Sequence, residues 1–330
     1  MKIGIIGTGR HGSRYAHHIN YDLPELRLAA ISRRSALGRE QAEDWGVHCH
    51  HDWRDLVADA DVEAVLAVTT PNLHEDIALA CATAGKPVFI EKPLATEAAA
   101  AVRMIESCRT ADVSLTVGQT LRYNPIALAL REEFSRIGRF CFFFANLRLE
   151  QTKHTWLDDP SVAGAGVILH TAVHVFDALR FITGREITEV TARVGKHNCR
   201  QVEDLFSAMI EMEDGVRGCV DASKVSRGRS GRFEFVGDRG QLQGDQVHGY
   251  LEFIEGVNIS QLKRVEPVPA IIPLLRDWAA HLAGKGPNPI PGEEGLQAVR
   301  ICQACLMSAR DGRSVPLAEV PNLHAVVIPG

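Results

Sequence analysis

Three side chains in the middle of the chain are spaced to share one face of a helix. They are His170, His174 and Asp177, and helical residues three or four apart lie one turn from each other. An imidazole titrates near neutrality, so a histidine at either position can take up or release a proton in acid–base chemistry. Asp177 lies one helical turn after His174. The two histidines also have a spacing found in zinc sites, but the glutamate between them and an obvious third ligand are missing, so no metal is assigned.

A lysine with similar potential stands between an apolar run and a proline. Lys92 lies in Glu91-Lys92-Pro93, directly after the predicted strand Val88–Ile90. Most lysines are solvated surface groups, but a position at the end of a buried strand favours a role in a site. An ammonium group there can stabilise the charge that develops on an alkoxide.

The beginning of the chain predicts a loop that binds phosphates. A β-branched run at residues 2–6 is typical of a buried strand, and GTGRHG at residues 7–12 fits G-x-G-x-x-G before a helix-like segment. Gly7 permits a tight turn, Gly9 lets the backbone approach a pyrophosphate, and Gly12 lets the helix pack closely on the strand. The amino end of that helix then faces the phosphates. We therefore assign dinucleotide contacts to Gly7, Thr8, Gly9, Arg10, His11 and Gly12.

The end of the second predicted strand suggests which dinucleotide is bound. Ser32 lies 20 positions after Gly12 (32 − 12), where such folds place the residue that meets the adenosine ribose. An acid there would repel a 2′-phosphate, but this chain has Ser32 followed by Arg33 and Arg34, which suit a phosphate. We expect NADP; in the alternative, the arginines are solvated loop charges and NAD is bound.

Strand and helix patterns alternate six times up to about residue 121. This alternation predicts an α/β Rossmann domain, a doubly wound parallel sheet, over residues 1–121. Residues 122–330 predict an α+β domain with a largely antiparallel open sheet, and the last helix, residues 293–310, is a candidate to pack back on the first domain. Ligands of a parallel sheet bind beyond the carboxyl ends of its strands. The residues predicted at such ends are Gly7, Ser32, Thr70, Glu91 and Gly118.

Composition excludes several classes of protein. The chain has 330 residues, 45% of them apolar, and a net charge of −5 with acids and bases interspersed. This balance argues against nucleic acid or an anionic membrane as the partner. No apolar run approaches the length needed to span a bilayer, and the first strand leaves no room for a signal peptide. Eight cysteines without a dense pattern indicate reduced thiols and a cytoplasmic protein.

One aromatic pattern suggests a sheet face that is covered by another element or subunit. Phe140, Phe142 and Phe144 alternate along the predicted strand Arg139–Leu149. Alternate residues of a strand point to the same face, so we expect all three rings to pack together on a helix or on a second subunit.

Across nearly its whole length the sequence resembles the Gfo/Idh/MocA family, which includes glucose–fructose oxidoreductase and inositol dehydrogenase. The resemblance rests on GTGRHG, on TTPNLHEDIALACATAGKPVFIEKPLA, on GQTLRYNP, on GAGVILHTAVHVFD and on EEGLQAVRICQACLMSARDG. It implies that Lys92 and His174 are catalytic and that the peptide bond before Pro93 is cis. His170 stands where many members carry aspartate, so either Asp177 takes over the role of orienting His174 or His170 binds the substrate directly. This departure argues more against inositol-type polyol binding than against hydride transfer.

The resemblance also implies further site residues. Those expected to contact the cofactor, besides the glycine-rich loop, are Ser32, Arg33, Arg34, Thr70, Pro71, Asn72, His74, Glu91, Lys92 and Gln119. Those expected to contact the substrate are Arg122, Tyr123, Trp156, His170 and Asp177. The family's open sheet pairs subunits, which implies a homodimer or homotetramer.

Together these features predict an NAD(P)-dependent oxidoreductase. It would interconvert a secondary alcohol and a ketone on a sugar, polyol or cyclic diol by hydride transfer, with Lys92 and His174 acting on the reacting hydroxyl. Two alternatives share the scaffold: a regulator that senses NAD(P) without turnover, and a glycosidase that retains its cofactor. The presence of both Lys92 and His174 argues against the regulator.

Overall fold

The computed structural model describes residues 1–151, 155–266 and 268–323. The strands are β1 Lys2–Ile6, β2 Arg27–Ser32, β3 His48–His50, β4 Ala64–Ala67, β5 Val88–Glu91, β6 Leu115–Gly118, β7 Phe140–Glu150, β8 Ile187–Gly195, β9 Leu205–Met212, β10 Arg217–Ser226, β11 Arg232–Gly237, β12 Gly240–Asp245, β13 Tyr250–Glu255, β14 Asn258–Arg264 and β15 Val315–Pro316. The α-helices are α1 Gly12–Tyr21, α2 Leu37–Trp45, α3 Trp53–Ala58, α4 His74–Thr83, α5 Ala98–Thr110, α6 Pro125–Glu133, α7 Pro160–Ala163, α8 Val173–Thr183, α9 Ile271–Leu282 and α10 Gly292–Asp311.

The chain divides into two compact units whose boundaries differ from a single cut at residue 121. The first unit contains Met1–Ala95, Ala99–Thr120 and Ala270–Leu296. The last of these segments carries α9, and Trp278 of that helix is fully buried with its ring 5.4 Å from that of Phe89 in β5. A large aromatic side chain that is removed from water in this way ties the late helix to the early sheet.

The sheet of the first unit has six strands in the order β3-β2-β1-β4-β5-β6. Every adjacent pair is parallel. The residues of β4, β5 and β6 are all buried, as expected for parallel strands covered on both faces. The strand order reverses beside β1, the position where open parallel sheets bind ligands. The predicted doubly wound fold is confirmed.

The second unit is built on a nine-stranded sheet in the order β14-β13-β12-β11-β7-β10-β9-β8-β15. Its neighbouring strands are antiparallel except β7 and β10, which are parallel. This confirms the largely antiparallel sheet. The sequence pattern missed β12 and β14, because β12 is rich in glycine and glutamine and β14 is mostly exposed, so neither reads as an apolar strand.

The prediction that Phe140, Phe142 and Phe144 share one face is wrong. A bulge interrupts the pairing of β7 with β11, where Gly237 faces Phe140 and Val236 faces Phe142. A bulge adds one residue and changes the face of every side chain beyond it. Phe140 is therefore buried, whereas Phe142 is 40% exposed on the other face.

One helical stretch contradicts the expectation that nothing in the chain is long and apolar enough to span a bilayer. Residues Pro160–Thr183 meet that test of length and composition, yet 83% of the apolar window is buried inside the protein. A buried core helix passes the same test as a membrane helix, because both are apolar on every side. The stretch contains a π-helical turn, Ile168–Ala172, directly before α8.

Candidate active site

The glycine-rich loop has a geometry that requires glycine at two of its three positions. Gly7 has a φ of 90°, and a Cβ there would lie 2.4 Å from the carbonyl oxygen of Val68. A Cβ on Gly12 would lie 2.0 Å from the carbonyl oxygen of Gly7. A Cβ on Gly9 would meet nothing within 4 Å among the described atoms. The face of Gly9 is thus open at the amino end of α1, which fits the approach of a dinucleotide pyrophosphate.

Side chains from the segment that runs from the end of β2 into α2 support this loop. Arg33 donates from Nη1 to the carbonyl oxygen of Thr8 at 2.7 Å and to Gln41 Oε1 at 2.9 Å. The Thr8 hydroxyl also donates to Gln41 Oε1, at 2.8 Å, and the Gln41 amide donates to the Ser13 hydroxyl at 2.9 Å. Arg33 therefore holds the loop, whereas Arg34 is exposed.

A buried carboxylate lies at the carboxyl end of β5. Glu91 Oε1 accepts from His11 Nε2 at 2.9 Å and from the Tyr15 hydroxyl at 2.5 Å, and Oε2 accepts from the backbone N–H of Lys92 at 2.8 Å. Burial alone would raise the pKa of Glu91, but the hydrogen bond and charge of His11, the charge of Lys92 and the Tyr15 hydroxyl lower it overall. The carboxylate is ionised and faces protein groups.

The next two residues place an ammonium group at the same strand end. The Lys92–Pro93 peptide bond is cis, as the family resemblance implied. Burial lowers the pKa of Lys92, while the charge of Glu91 raises it. His74 is fully buried, and its Nδ1 lies 2.9 Å from the carbonyl oxygen of Pro93, so this side chain supports the turn.

Gln119, at the end of β6, has a polar side chain suited to a ligand. It is only 1% exposed, and within the described parts of the chain no group hydrogen-bonds either atom of its side-chain amide. Buried amides are normally paired, so this amide fits a polar group of a bound cofactor. Of the other predicted contacts, Ser32 and Pro71 are buried, Thr70 is partly exposed and Asn72 is exposed.

In the second unit, the π-helical turn and α8 carry both histidines. His170 is 7% exposed, and its Nε2 lies 3.0 Å from the carbonyl oxygen of Ala163, which makes Nε2 the donor. The ring of Trp156 meets His170 edge to face at 5.5 Å. His174 follows in the first turn of α8 and is partly exposed. π-Helical turns are frequent at functional sites because they realign a helix face.

Asp177 is buried and forms an ion pair with an arginine. Its carboxylate accepts from Arg122 Nε at 2.9 Å and from Arg122 Nη2 at 2.6 Å, and it is fully buried. The sequence left open whether Asp177 orients His174 or His170 binds the substrate directly. An Asp177 carboxylate that orients His174 has to bind Arg122 at the same time. Tyr123, beside Arg122, is partly exposed.

Glu203 shapes the turn that leads into the histidine helix. Its Oε1 accepts from the backbone N–H of Gly166 at 2.9 Å and of Ile168 at 3.1 Å. A Cβ on Gly166 would lie 1.8 Å from the Glu203 carbonyl oxygen, so only glycine fits. Sequence reasoning missed Glu203 because it lies 37 positions from Gly166. It also missed Tyr15 and Gln41; only Tyr15, four residues after His11 on a helix, had a local signal.

Comparison with known proteins identifies the family. Residues 1–119 match the model described as "Oxidoreductase family, NAD-binding Rossmann fold", and residues 130–243 match the "GFO/IDH/MocA C-terminal domain". The chain is 30% identical to a myo-inositol 2-dehydrogenase of Thermotoga maritima, over 97% of this chain and 99% of that protein. It is 29% identical to inositol 2-dehydrogenase 2 of Saccharopolyspora erythraea, over 98% of each.

A solved structure leads to the same assignment. The fold matches that of a probable dehydrogenase from Thermotoga maritima with a TM-score of 0.84 and 27% identity, covering 97% of this chain and all of that one. Both halves of the chain match the family in order, and the first half carries the nicotinamide-dinucleotide fold with its glycine-rich loop intact. The chain therefore belongs to the Gfo/Idh/MocA family of nicotinamide-dependent oxidoreductases.

Proposed function

We propose that this oxidoreductase interconverts a secondary alcohol and a ketone on a sugar, polyol or cyclic diol. The names of its relatives support this substrate class, since two of them are inositol 2-dehydrogenases that match over nearly the whole chain. The observation that carries the proposal is the position of Lys92, at the end of β5 in the same unit as the glycine-rich loop and tied to it through Glu91.

In this proposal the chain supplies two catalytic groups. The Lys92 ammonium orients the substrate hydroxyl and stabilises negative charge that develops on its oxygen. The imidazole of His174, on the first turn of α8, takes the hydroxyl proton during oxidation and returns it during reduction. The bound dinucleotide supplies the hydride acceptor or donor.

We further propose NADP as the preferred cofactor. Support comes from the end of β2, where Ser32 replaces the acid that would repel a 2′-phosphate. Arg33 is engaged with the loop carbonyl of Thr8, but the exposed Arg34 offers a permanent positive charge beside it.

The assembly proposed is a homodimer or homotetramer formed through the outer face of the nine-stranded sheet. Phe142 and Met209 are 40% and 47% exposed on that face. Cys219 pairs with Met209 on one side and Phe144 on the other, so these apolar groups are contiguous. A contiguous apolar patch on a sheet favours association. All eight cysteines are free thiols, which supports a cytoplasmic location.

The test is a screen of nicotinamide absorbance with cyclitols, sugars and dihydrodiols, each offered with NAD and with NADP. We expect turnover with at least one cyclic polyol and a higher kcat/KM with NADP. Tight dinucleotide binding without turnover of any substrate would favour the sensing regulator instead. Bond cleavage in a glycoside without net change in nicotinamide absorbance would favour the cofactor-retaining glycosidase.

A further inference from the structure

We propose that Glu91 is a positioning residue that holds the glycine-rich loop and Lys92 in one geometry, so that dinucleotide binding and lysine placement depend on each other. The inference rests on the proposed function in assigning the chemistry to Lys92. It adds a role for Glu91 beyond the cofactor contact expected from the sequence, because the carboxylate acts through the protein groups that it binds.

The first argument is that each carboxylate oxygen of Glu91 serves a different element. Oε1 accepts from His11 of the loop and from Tyr15 of α1, at 2.9 and 2.5 Å. Oε2 accepts from the backbone N–H of Lys92 at 2.8 Å. Charge-assisted hydrogen bonds are about twice as strong as neutral ones. One side chain therefore joins the loop, the helix that follows it and the residue that carries the ammonium group.

The second argument is that the carboxylate has little freedom to move. Glu91 is 5% exposed and pairs in register with Gly118 of β6. A Cβ on Gly118 would lie 3.1 Å from the Glu91 carboxyl carbon. Glycine at position 118 thus leaves just enough room for the carboxylate, and any larger residue would press on it.

The third argument is the loop position of His11. It stands between Gly9 and Gly12, and its side chain is 45% exposed on one side while Nε2 reaches Glu91 on the other. A diphosphate bound on Gly9 would lie next to this residue. A displacement of the loop therefore shifts Glu91 through the His11 hydrogen bond. Loss of the Glu91 carboxylate alters the position of the loop through the same hydrogen bond.

The charges around Glu91 explain how its loss would alter Lys92. The groups that face it are His11 of the loop, Tyr15 of α1, Lys92 itself and His74 of α4, with Arg14 acting on Tyr15. Burial raises the pKa of Tyr15 well above its usual value, so its hydroxyl remains a donor. Burial lowers the pKa of Lys92 and the Glu91 charge opposes this. Without that charge, the ammonium group would lose its proton at a lower pH.

The experiment compares Glu91→Gln with wild type in two separate measurements. Dinucleotide affinity is measured by nicotinamide fluorescence with no substrate present, and we expect Kd to rise about tenfold as a charged hydrogen bond is lost. The pH dependence of kcat is measured with the alcohol found in the screen. We expect kcat to fall about a hundredfold and its alkaline limb to move to lower pH.

Glu63→Gln provides the matched control. Glu63 accepts a hydrogen bond from the backbone N–H of Lys2 at the amino ends of β4 and β1, whereas Glu91 lies at the carboxyl end of β5. Loss of the Glu63 carboxylate should therefore leave Kd and the pH profile unchanged. Tyr15→Phe removes one donor to Glu91 and preserves both the ring and the carboxylate charge. It should raise Kd by less than Glu91→Gln does and leave the alkaline limb in place, because the charge that raises the pKa of Lys92 is kept. This variant replaces Glu91→Gln if thermal unfolding shows that the latter does not fold.

The outcomes separate this inference from the proposed function. An unchanged Kd, or an alkaline limb that stays in place, in a folded Glu91→Gln variant would overturn the positioning role. If the wild type turned over no alcohol, the proposed function would fail, while the fluorescence measurement would still test the link between Glu91 and the loop. A lower kcat with unaltered Kd and pH profile would assign Glu91 a general structural role and contradict the inference.

Discussion

Arg122 clamps the carboxylate of Asp177 from a separate part of the second unit. Two nitrogens of one guanidinium reach two carboxylate oxygens, with Nη2 to Oδ1 at 2.6 Å and Nε to Oδ2 at 2.9 Å. Asp177 is fully buried and the Arg122 side chain is 12% exposed. The pair anchors α8 one turn after His174, so two residues assigned to the substrate by sequence also bind each other.

This ion pair predicts a large loss of stability when one partner is removed. Asp177→Asn leaves a mostly buried guanidinium without its counter-charge, which typically costs about 3 kcal/mol or more. Urea denaturation should show this loss in the free energy of unfolding. Glu133→Gln, which removes a surface pair with Arg136 at 3.1 Å, should change the free energy of unfolding by less than about 0.5 kcal/mol. Equal effects of the two substitutions would show that the buried pair is not an anchor.

The same pair illustrates what the sequence can and cannot predict. The strand Val88–Ile90, the glycine-rich loop and the cis bond before Pro93 were all predicted, because neighbouring residues carry their signals or because the family motif includes them. Arg122 and Asp177 are 55 positions apart, and His11 and Glu91 are 80 apart. Their pairing depends on how distant elements pack, and no spacing rule reports that.

The bulge in β7 shows a second limit. Strict alternation predicts Phe140 and Phe142 on one face of the sheet. The bulge adds one residue between them, so the two rings lie on opposite faces. Bulges are set by the partner strand, so the sequence of β7 alone predicts the existence of the strand without predicting which rings are buried.

Glu203 predicts a pH-dependent contribution to stability. Burial raises its pKa, although hydrogen bonds from the backbone of Gly166 and Ile168 oppose the shift. A raised carboxyl pKa means that the folded state favours the protonated form. The protonated Glu203 side chain therefore contributes fully to the free energy of unfolding below about pH 4.5, the ordinary pKa of glutamate. This contribution is lost as the pH rises through the higher pKa that Glu203 has in the folded protein.

Glu203→Gln removes this titration and can still accept both backbone hydrogen bonds. The stability of the wild type relative to this variant should therefore decline from pH 4 to pH 7, measured by urea denaturation at several pH values. A difference that stays constant, or that grows with pH, would contradict the raised pKa.

Lys92 and His174 should each be needed for turnover. Loss of a positioned acid or base typically lowers kcat by about 10² to 10⁴, so we expect Lys92→Ala and His174→Ala to fall in that range. Because burial lowers the pKa of Lys92, activity that needs its ammonium form should begin to fall at a pH below 10.5, the ordinary pKa of lysine. Lys285→Ala, an exposed lysine in the first unit, serves as the control. Near-normal turnover in both catalytic variants would show that the chemistry lies elsewhere.

The two arginines after Ser32 should differ in what they recognise. Arg33 donates to the Thr8 carbonyl oxygen and to Gln41. Arg33→Ala should therefore weaken the binding of NAD and of NADP to the same extent, because the glycine-rich loop loses its support. Arg34 is exposed, so Arg34→Ala should raise KM for NADP about tenfold through the lost charge on the 2′-phosphate and leave NAD nearly unchanged. Arg27→Ala, at the other end of β2, is the control. A parallel effect of Arg34→Ala on both cofactors would argue for NAD as the natural partner.

The outer face of the nine-stranded sheet predicts the effect of one charge on assembly. Phe142 is 40% exposed in β7, beside Val236 of β11. If subunits pair through this face, Phe142→Asp buries an unpaired carboxylate in an apolar contact, which costs several kcal/mol. Light scattering coupled to size exclusion should then show a monomer where the wild type shows a dimer or tetramer. Val257→Asp, at a turn position that is 96% exposed, should leave the mass unchanged. An unaltered mass for a folded Phe142→Asp variant would move the subunit contact to another surface.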